Sequence, residues 1–463
     1  MKNFPGCRCP GSQSGTTLRR PKPNKVSIFG AFDTPSLLSS ERQKAHEIPR
    51  LTTDEAKKLE RTARIENIIA TLFAILGVGT LFGLTYLSLP AFGGISDLPE
   101  YYAPAKLIFE GKGALGYTLE GLAEAQHRFF PSMGGRIVAL FVPPQGLALV
   151  SPIALLSPDA SRFVWKTLLV LCLSASIFLL KRTFNLGYKQ TCYLIAAISL
   201  SDAAYNSLRI DQLAPILLLA YVAAIYCFKN NNNIGAGMWL ALVILKPQQF
   251  LPFMAYLAGT MKIKPLIVCA GIVAALSVVA WLQIGQTGWT NYFALVSAPS
   301  SVPFMQPELT PTLRGQLLRL FPSTSSSIFS LTSGLYLFSI ALSAFAGWKL
   351  REKRDSVLLG VLGVMPLGLV LSMHCHTYDL LLLIPTILLI FNDAVMPFNQ
   401  IWKLAVMLGA IVFVLPLSVE IQHDYLLKGG QFNPWFFLLL PLSVALLAQV
   451  LKKNPNVQPK ESN

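Results

Sequence analysis

Charged residues are scarce in this sequence. Only 13% of its 463 residues are charged, whereas a soluble domain has roughly 25%. Hydrophobic residues make up 53%. These proportions exclude an ordinary cytosolic enzyme, a disordered chain and a coiled coil. Most of the chain after Ile68 consists of apolar runs, and ~20 apolar residues form one helix across a bilayer. The sequence therefore predicts an all-α, polytopic transmembrane protein.

Several familiar motifs are also missing. The seven cysteines form no legible disulfide framework, and no apolar segment of the signal-peptide type follows the first charges. The phosphate-binding pattern GxxxxGK(S/T) does not occur, nor does GxGxxG between a strand and a helix. We therefore expect any group transfer to use an activated donor carried in the membrane, rather than ATP or a sugar nucleotide.

Hydropathy predicts about twelve membrane spans, at residues 68–90, 162–180, 190–207, 213–228, 234–245, 249–260, 265–284, 326–348, 356–373, 380–395, 401–420 and 433–451. Residues 234–260 are alternatively one broken helix. The expected organisation is a basic tail over 1–67, a transmembrane domain over 68–451 and a second tail over 452–463. The first tail is expected to be partly disordered. It should end in a short charged helix, because Thr52 and Glu55 have the spacing of a capping box.

The positive charge is unevenly distributed over the loops. The net charge is +15; after residue 180, fourteen Lys and Arg lie in loops on one side and five on the other. Since basic loops stay inside, both termini are expected to be cytoplasmic, in a cell (inner) membrane. Residues 137–157 are apolar but contain Pro143-Pro144. Counting them as a span would reverse this bias, so they are predicted to be a re-entrant or broken helix.

The first outer loop, about 91–136, contains an acidic residue with two interpretations. Asp97 with Glu100 three residues later is typical of a helix N-cap. Alternatively, the Asp97 carboxylate is a general base at the mouth of a cavity. Asp97 can serve as N-cap and as general base together only if its side chain turns toward that cavity. Tyr101 and Tyr102 follow on the same predicted helix.

Three further polar clusters fall on the predicted outer side. Asp202, Asn206 and Arg209 share a helix face, and the pair Asp211-Gln212 follows. An Asp202–Arg209 brace is the structural alternative to a substrate site. In Lys246-Pro247-Gln248, the lysine is either an interface anchor or a phosphate ligand.

The last cluster is His374-Cys375-His376-Thr377-Tyr378-Asp379. Two histidines alone do not make a metal site, so we expect them to form hydrogen bonds and Asp379 to start a helix. The loop 285–325 is long enough for a binding lid.

The order of these motifs resembles glycosyltransferase family 87, whose members are GT-C-type enzymes similar to polyprenyl-phosphate-mannose-dependent mannosyltransferases. The resemblance lies in Asp97 with the tyrosines after it, in the segment from Phe141 to Pro152, and in Asn206 to Gln212. Leu245-Lys246-Pro247-Gln248 and residues 374–379 continue it. Asp211 departs from the family pattern, because glycine is usual at that position. The resemblance covers about 68–395.

This resemblance implies a GT-C-like fold and an inverting transfer from a polyprenyl-phosphate sugar, a mannose-like hexose, to a glycolipid or glycan acceptor on the extracytoplasmic face. It implies that Asp97 is the general base. Candidate cations for the donor phosphate are Lys246, Arg209 and His376. Candidate substrate contacts are Tyr101, Tyr102, Asn206, Asp211, Gln212, Gln248 and His374. No metal, cofactor or nucleic acid is expected, and the lipid bilayer is a partner.

Two other functions fit the same residues. A transporter or lipid flippase also has many spans and a polar cavity, although the sequence has no convincing internal repeat of the kind that transporters often carry. A ligase or polymerase of lipid-linked glycans also has long outer loops, but it would consume a pyrophosphate-linked glycan. The identity of the donor therefore separates the three.

Overall fold

The computed structural model describes residues 53–87, 96–133, 137–297, 310–392 and 424–452, with isolated residues between 395 and 421. The chain divides into two units, Met1–Glu60 and Arg61–Asn463. Of the first unit, only the beginning of one helix is described. Every regular element among the described residues is helical, which confirms the all-α prediction.

The described α-helices are α1 (Thr53–Phe82), α2 (Leu98–Phe109), α3 (Leu119–Phe129), α4 (Pro144–Val150), α5 (Pro158–Phe184), α6 (Tyr188–Ser199), α7 (Asp202–Arg209), α8 (Ala214–Lys229), α9 (Asn233–Ala241), α10 (Pro247–Gly259), α11 (Ile263–Ser297), α12 (Leu313–Leu320), α13 (Ser325–Leu350), α14 (Ser356–Leu371), α15 (Ile384–Ile390) and α16 (Pro434–Lys452). Short 3₁₀ turns join several of them, among them Ser151–Leu155, Leu242–Leu245 and Thr377–Leu383.

Five of these helices are long and apolar enough to cross a membrane: α1, α5, α11, α13 and α16. In α1 and α11 only 17% of the most apolar window is buried. Large side chains such as Leu72, Phe73 and Leu282 are exposed there. Exposed apolar area of this extent is typical of a surface that contacts a membrane or another protein, and the length of the helices favours a membrane. The chain is a multi-pass membrane protein, while the twelve spans and the orientation of the termini stay predictions.

Two predicted segments differ from, or refine, the hydropathy pattern. The span at 190–207 is two helices, α6 and α7, because the Ser201 hydroxyl accepts the Ala204 N–H (3.1 Å) and starts a new helix. Residues 137–157 contain α4, which is about 10 Å long and too short to span. A broken helix was predicted there. Thr52 and most of 401–420 lie outside the described residues.

Close packing between α10 and α13 fixes the position of α10, the helix that begins directly after Lys246. A Cβ on Gly259 would lie 2.0 Å from the Ala344 carbonyl oxygen, and one on Gly347 would lie 2.1 Å from that of Tyr256. Only glycine permits so close an approach of two backbones. Lys246 immediately precedes the first residue of α10, so this packing helps to place it.

Candidate active site

Side chains from four separate stretches form one hydrogen-bonded chain. The Gln212 amide nitrogen Nε2 donates to Asp97 Oδ2 (2.5 Å), and the Gln212 oxygen Oε1 accepts from Lys246 Nζ (3.2 Å). Lys246 Nζ also lies 2.8 Å from Asp379 Oδ1. The carboxylate can only accept and the ammonium can only donate, so the two neighbours fix the orientation of the Gln212 amide.

The loop before α2 explains why Asp97 faces this chain. Asp97 occupies the N-cap position of α2, but its side chain makes no capping hydrogen bond. The Ser96 hydroxyl instead accepts the Leu98 N–H (3.1 Å), and the Asp97 N–H donates to the Ile210 carbonyl (2.9 Å). The backbone is thus held by other groups, and the Asp97 carboxylate is turned toward Gln212.

Lys246 lies where a helical segment is interrupted. The 3₁₀ turn Leu242–Leu245 ends there, Lys246 takes non-helical backbone angles (φ −144°, ψ 69°), and Pro247 begins α10. The side chain is buried, and its ammonium lies 4.8 Å from the centre of the Tyr378 ring. A buried ammonium needs compensation, which Asp379 and Gln212 supply.

The histidine loop is built around Asp379. Asp379 Oδ2 accepts the His376 N–H (3.0 Å), and the His376 ring stacks on Tyr378 at 5.0 Å and meets His374 edge-on at 4.4 Å. Burial lowers the pKa of His376 to about 4; Lys246 adds to this lowering and Asp379 opposes it. Burial likewise lowers the pKa of His374 well below its ordinary value. With a pKa of about 4, the His376 ring is neutral at pH 7, so it offers a hydrogen bond rather than charge.

Two groups near the hydrogen-bonded chain Asp97–Gln212–Lys246–Asp379 were not among the predicted site residues. The first is Glu100, in the first turn of α2, whose Oε1 accepts the Phe141 N–H at 3.4 Å. It is only 9% exposed. Burial, and then the Asp97 charge, raise the pKa of Glu100 from 4.5 to about 8. With this pKa, Glu100 keeps its proton at pH 7. The sequence indicated only helix capping here, because Glu100 lies three residues after Asp97.

The second is Arg314, in the first turn of α12. Its guanidinium is 7% exposed, donates from Nη1 to the Met373 carbonyl (3.3 Å) and lies 5.3 Å from the Phe329 ring. Within the described part of the chain it has no carboxylate partner, and its Nε has no hydrogen bond. A buried cation without an anion is costly. In the sequence, a role of Arg314 in binding was indicated only by its position in the loop 285–325, the predicted lid.

The remaining predicted residues have other neighbours. Asn206 Nδ2 donates to Asp202 Oδ1 (2.8 Å), and the Arg209 guanidinium lies 6.0 Å from the Tyr205 ring. The contacts that join Asp97 to Lys246 run through Gln212. The Asp211 carboxylate binds Ser96 rather than this chain.

The two tyrosines of α2 and Gln248 are held by apolar and backbone contacts. Tyr101 packs on Trp165 (5.5 Å between centroids). The Tyr102 hydroxyl donates to the Leu156 carbonyl (2.9 Å), and its ring meets Phe130. The Gln248 carbonyl accepts from the Tyr336 hydroxyl (2.6 Å).

The arrangement combines a carboxylate that can take a proton with a cation held one side chain away. Such a pair suits a reaction in which a hydroxyl is deprotonated while negative charge grows on a leaving group. Among the described residues, no group of three His, Cys, Asp or Glu side chains is placed to hold a metal ion.

In a comparison with known families, residues 141–372, which are half of the chain, match glycosyltransferase family 87. The matched region contains Gln212 and Lys246, whereas Asp97 and Asp379 lie outside it. No curated protein and no solved structure matches the chain.

Proposed function

The chain belongs to glycosyltransferase family 87, and from that premise we propose that it transfers a sugar from a polyprenyl-phosphate donor to a hydroxyl of a glycolipid or glycan on the extracytoplasmic face. The observation that supports the proposal is the hydrogen-bonded chain Asp97–Gln212–Lys246, which holds a carboxylate and an ammonium at one site. A mannose-like hexose is the sugar proposed.

Asp97 acts as the general base in this proposal. It takes the proton of the acceptor hydroxyl as that oxygen bonds to the anomeric carbon. The bond between this carbon and the phosphate oxygen breaks on the opposite face, so the configuration inverts and the lipid phosphate leaves with the electron pair. A positioned carboxylate contributes about 10²–10⁴-fold to such a step.

Cations stabilise the departing phosphate. Lys246 donates to Gln212 and Asp379, so one of its three N–H groups remains for a phosphate oxygen among the described contacts. The Arg314 guanidinium, which has no carboxylate partner among the described residues, is a third cation that we add to Lys246 and Arg209. His376, being neutral, donates a hydrogen bond. The other predicted contacts apart from Asp211, including Asn206 and His374, are proposed to complete the substrate site.

The test is Asp97→Asn, which keeps the shape and removes the base. Purified protein in nanodiscs is given radiolabelled polyprenyl-phosphate sugars and native membrane lipids. We expect transfer to fall by about 10²–10⁴-fold while donor binding is retained. The matched control is Asp159→Asn, an exposed aspartate in the first turn of α5. Transfer by the Asp97 variant within a few-fold of wild type would refute the role of the base.

A further inference from the structure

A second buried ion pair lies next to the hydrogen-bonded chain Asp97–Gln212–Lys246. Asp211 and Lys166 are both almost fully buried, and Lys166 Nζ is 2.8 Å from Asp211 Oδ1. The Trp165 indole N–H donates to the Asp211 carbonyl (2.9 Å). Lys166 also donates to the Leu208 carbonyl (2.5 Å) at the end of α7. The pair therefore ties α5 to the turn that carries Gln212.

The same aspartate reaches the loop of the proposed base. Asp211 Oδ2 accepts from the Ser96 hydroxyl (2.5 Å), and Ser96 Oγ accepts the Leu98 N–H at the start of α2. Asp97 lies between Ser96 and Leu98, and its own N–H donates to the Ile210 carbonyl. Its backbone is thus held on both sides by the turn that precedes Gln212.

This arrangement lowers the free energy of unfolding. Asp211 has φ +64°, a region in which residues other than glycine are uncommon. A buried ion pair is a weak source of stability, because desolvation offsets most of the attraction. A costly conformation persists where the surroundings impose it, and such sites cluster at functional positions. Stability alone does not account for the pair.

We propose that Ser96, Asp211 and Lys166 form a clamp that positions the Asp97 carboxylate for proton abstraction. The three are positioning residues, and the proposal rests on the proposed role of Asp97. In this view the Asp211 side chain does not contact substrate. It substitutes for a simple glycine turn and adds a hydrogen bond to the loop of the base.

The sharpest test is Ser96→Ala, which disconnects Asp211 from the Asp97 loop and leaves the buried ion pair intact. A displacement of a reacting group by ~1 Å can cost about 10²-fold in rate. Because the Asp97 N–H still donates to the Ile210 carbonyl in this variant, we expect a smaller loss, about tenfold in kcat, with the donor KM within about twofold of wild type. Ser96→Thr, which keeps a hydroxyl, should recover most of the rate. Ser176→Ala is the control: this serine is also buried, and its hydroxyl donates to the Cys172 carbonyl within its own helix.

A double-mutant cycle separates positioning from general damage. If Ser96 acts through Asp97, Ser96→Ala should cost nothing further in the Asp97→Asn background. Equal losses in both backgrounds, or an unchanged kcat for Ser96→Ala in the wild type, would overturn the clamp. The proposed function fails separately, if Asp97→Asn by itself remains active.

Removing the ion pair as a whole gives an independent check. Asp211→Gly with Lys166→Met suits the positive φ and removes both charges of the buried pair together, so the double variant should fold. We expect its melting temperature to stay near that of wild type while kcat falls at least tenfold. A normal kcat would contradict the proposal.

Discussion

The buried Glu100 carboxyl makes the stability of the protein depend on pH in a predictable direction. Its pKa is about 8 in the folded protein, against an ordinary value of 4.5. At pH 7 the folded protein keeps a proton that the unfolded chain has released. A raised carboxyl pKa contributes stability that is complete below pH 4.5 and is lost as pH rises to 8. At about 1.4 kcal/mol per pH unit, the loss is about 3 kcal/mol at pH 7.

Glu100→Gln should remove this loss. The glutamine resembles the protonated acid, and its oxygen can still accept the Phe141 N–H. We expect the variant to match wild type near pH 5, where the loss is below about 1 kcal/mol, and to be more stable by about 4 kcal/mol at pH 8. Thermal unfolding in nanodiscs at the two pH values measures the difference.

Glu120→Gln, at an exposed position in the first turn of α3, is the matched control and should show no such divergence. The reasoning is refuted if Glu100→Gln and wild type differ by the same melting temperature at pH 5 and pH 8. A variant less stable than wild type at pH 8 would refute it equally.

Two further outcomes follow from packing and charge. Gly347→Ala should lower the melting temperature by several degrees because its Cβ would strike the Tyr256 carbonyl. Gly334→Ala, on the same helix with nothing within 4 Å of the added carbon, should leave it unchanged or raise it slightly, because alanine favours a helix more than glycine does. Equal effects of the two variants would contradict the packing argument. Arg314→Gln should raise the donor KM about tenfold, the value of one charge-assisted hydrogen bond. Steady-state kinetics with varied donor measure this, and an unchanged KM would exclude Arg314 from donor binding.

Local sequence rules predicted the helices well where one physical effect dominated. Long apolar runs predicted α5, α11, α13 and α16, and the proline after Lys246 predicted a break there. The interruption at Ser201 was missed, because the apolar pattern on either side outweighed one hydroxyl. Only the tertiary setting shows that this hydroxyl caps a new helix.

The candidate site was predicted in part. Asp97, Gln212 and Lys246 were chosen from their chemistry, and the structure brings them together. The sequence did not tell which side chains face one another, so Asp211 was expected at the substrate although its carboxylate binds Ser96 and Lys166. The burial that raises the pKa of Glu100 depends on contacts far along the chain, and no local pattern encodes it.

The tight seam between α10 and α13 has a genetic consequence. Gly259 ends α10, about 20 Å along the helix from Lys246, yet the helix joins the two positions. A bulky residue at the distant glycine would therefore misalign the lysine. In a screen that scores only product, such a lesion would be grouped with substitutions at the reaction centre, and only a folding assay would tell the two apart.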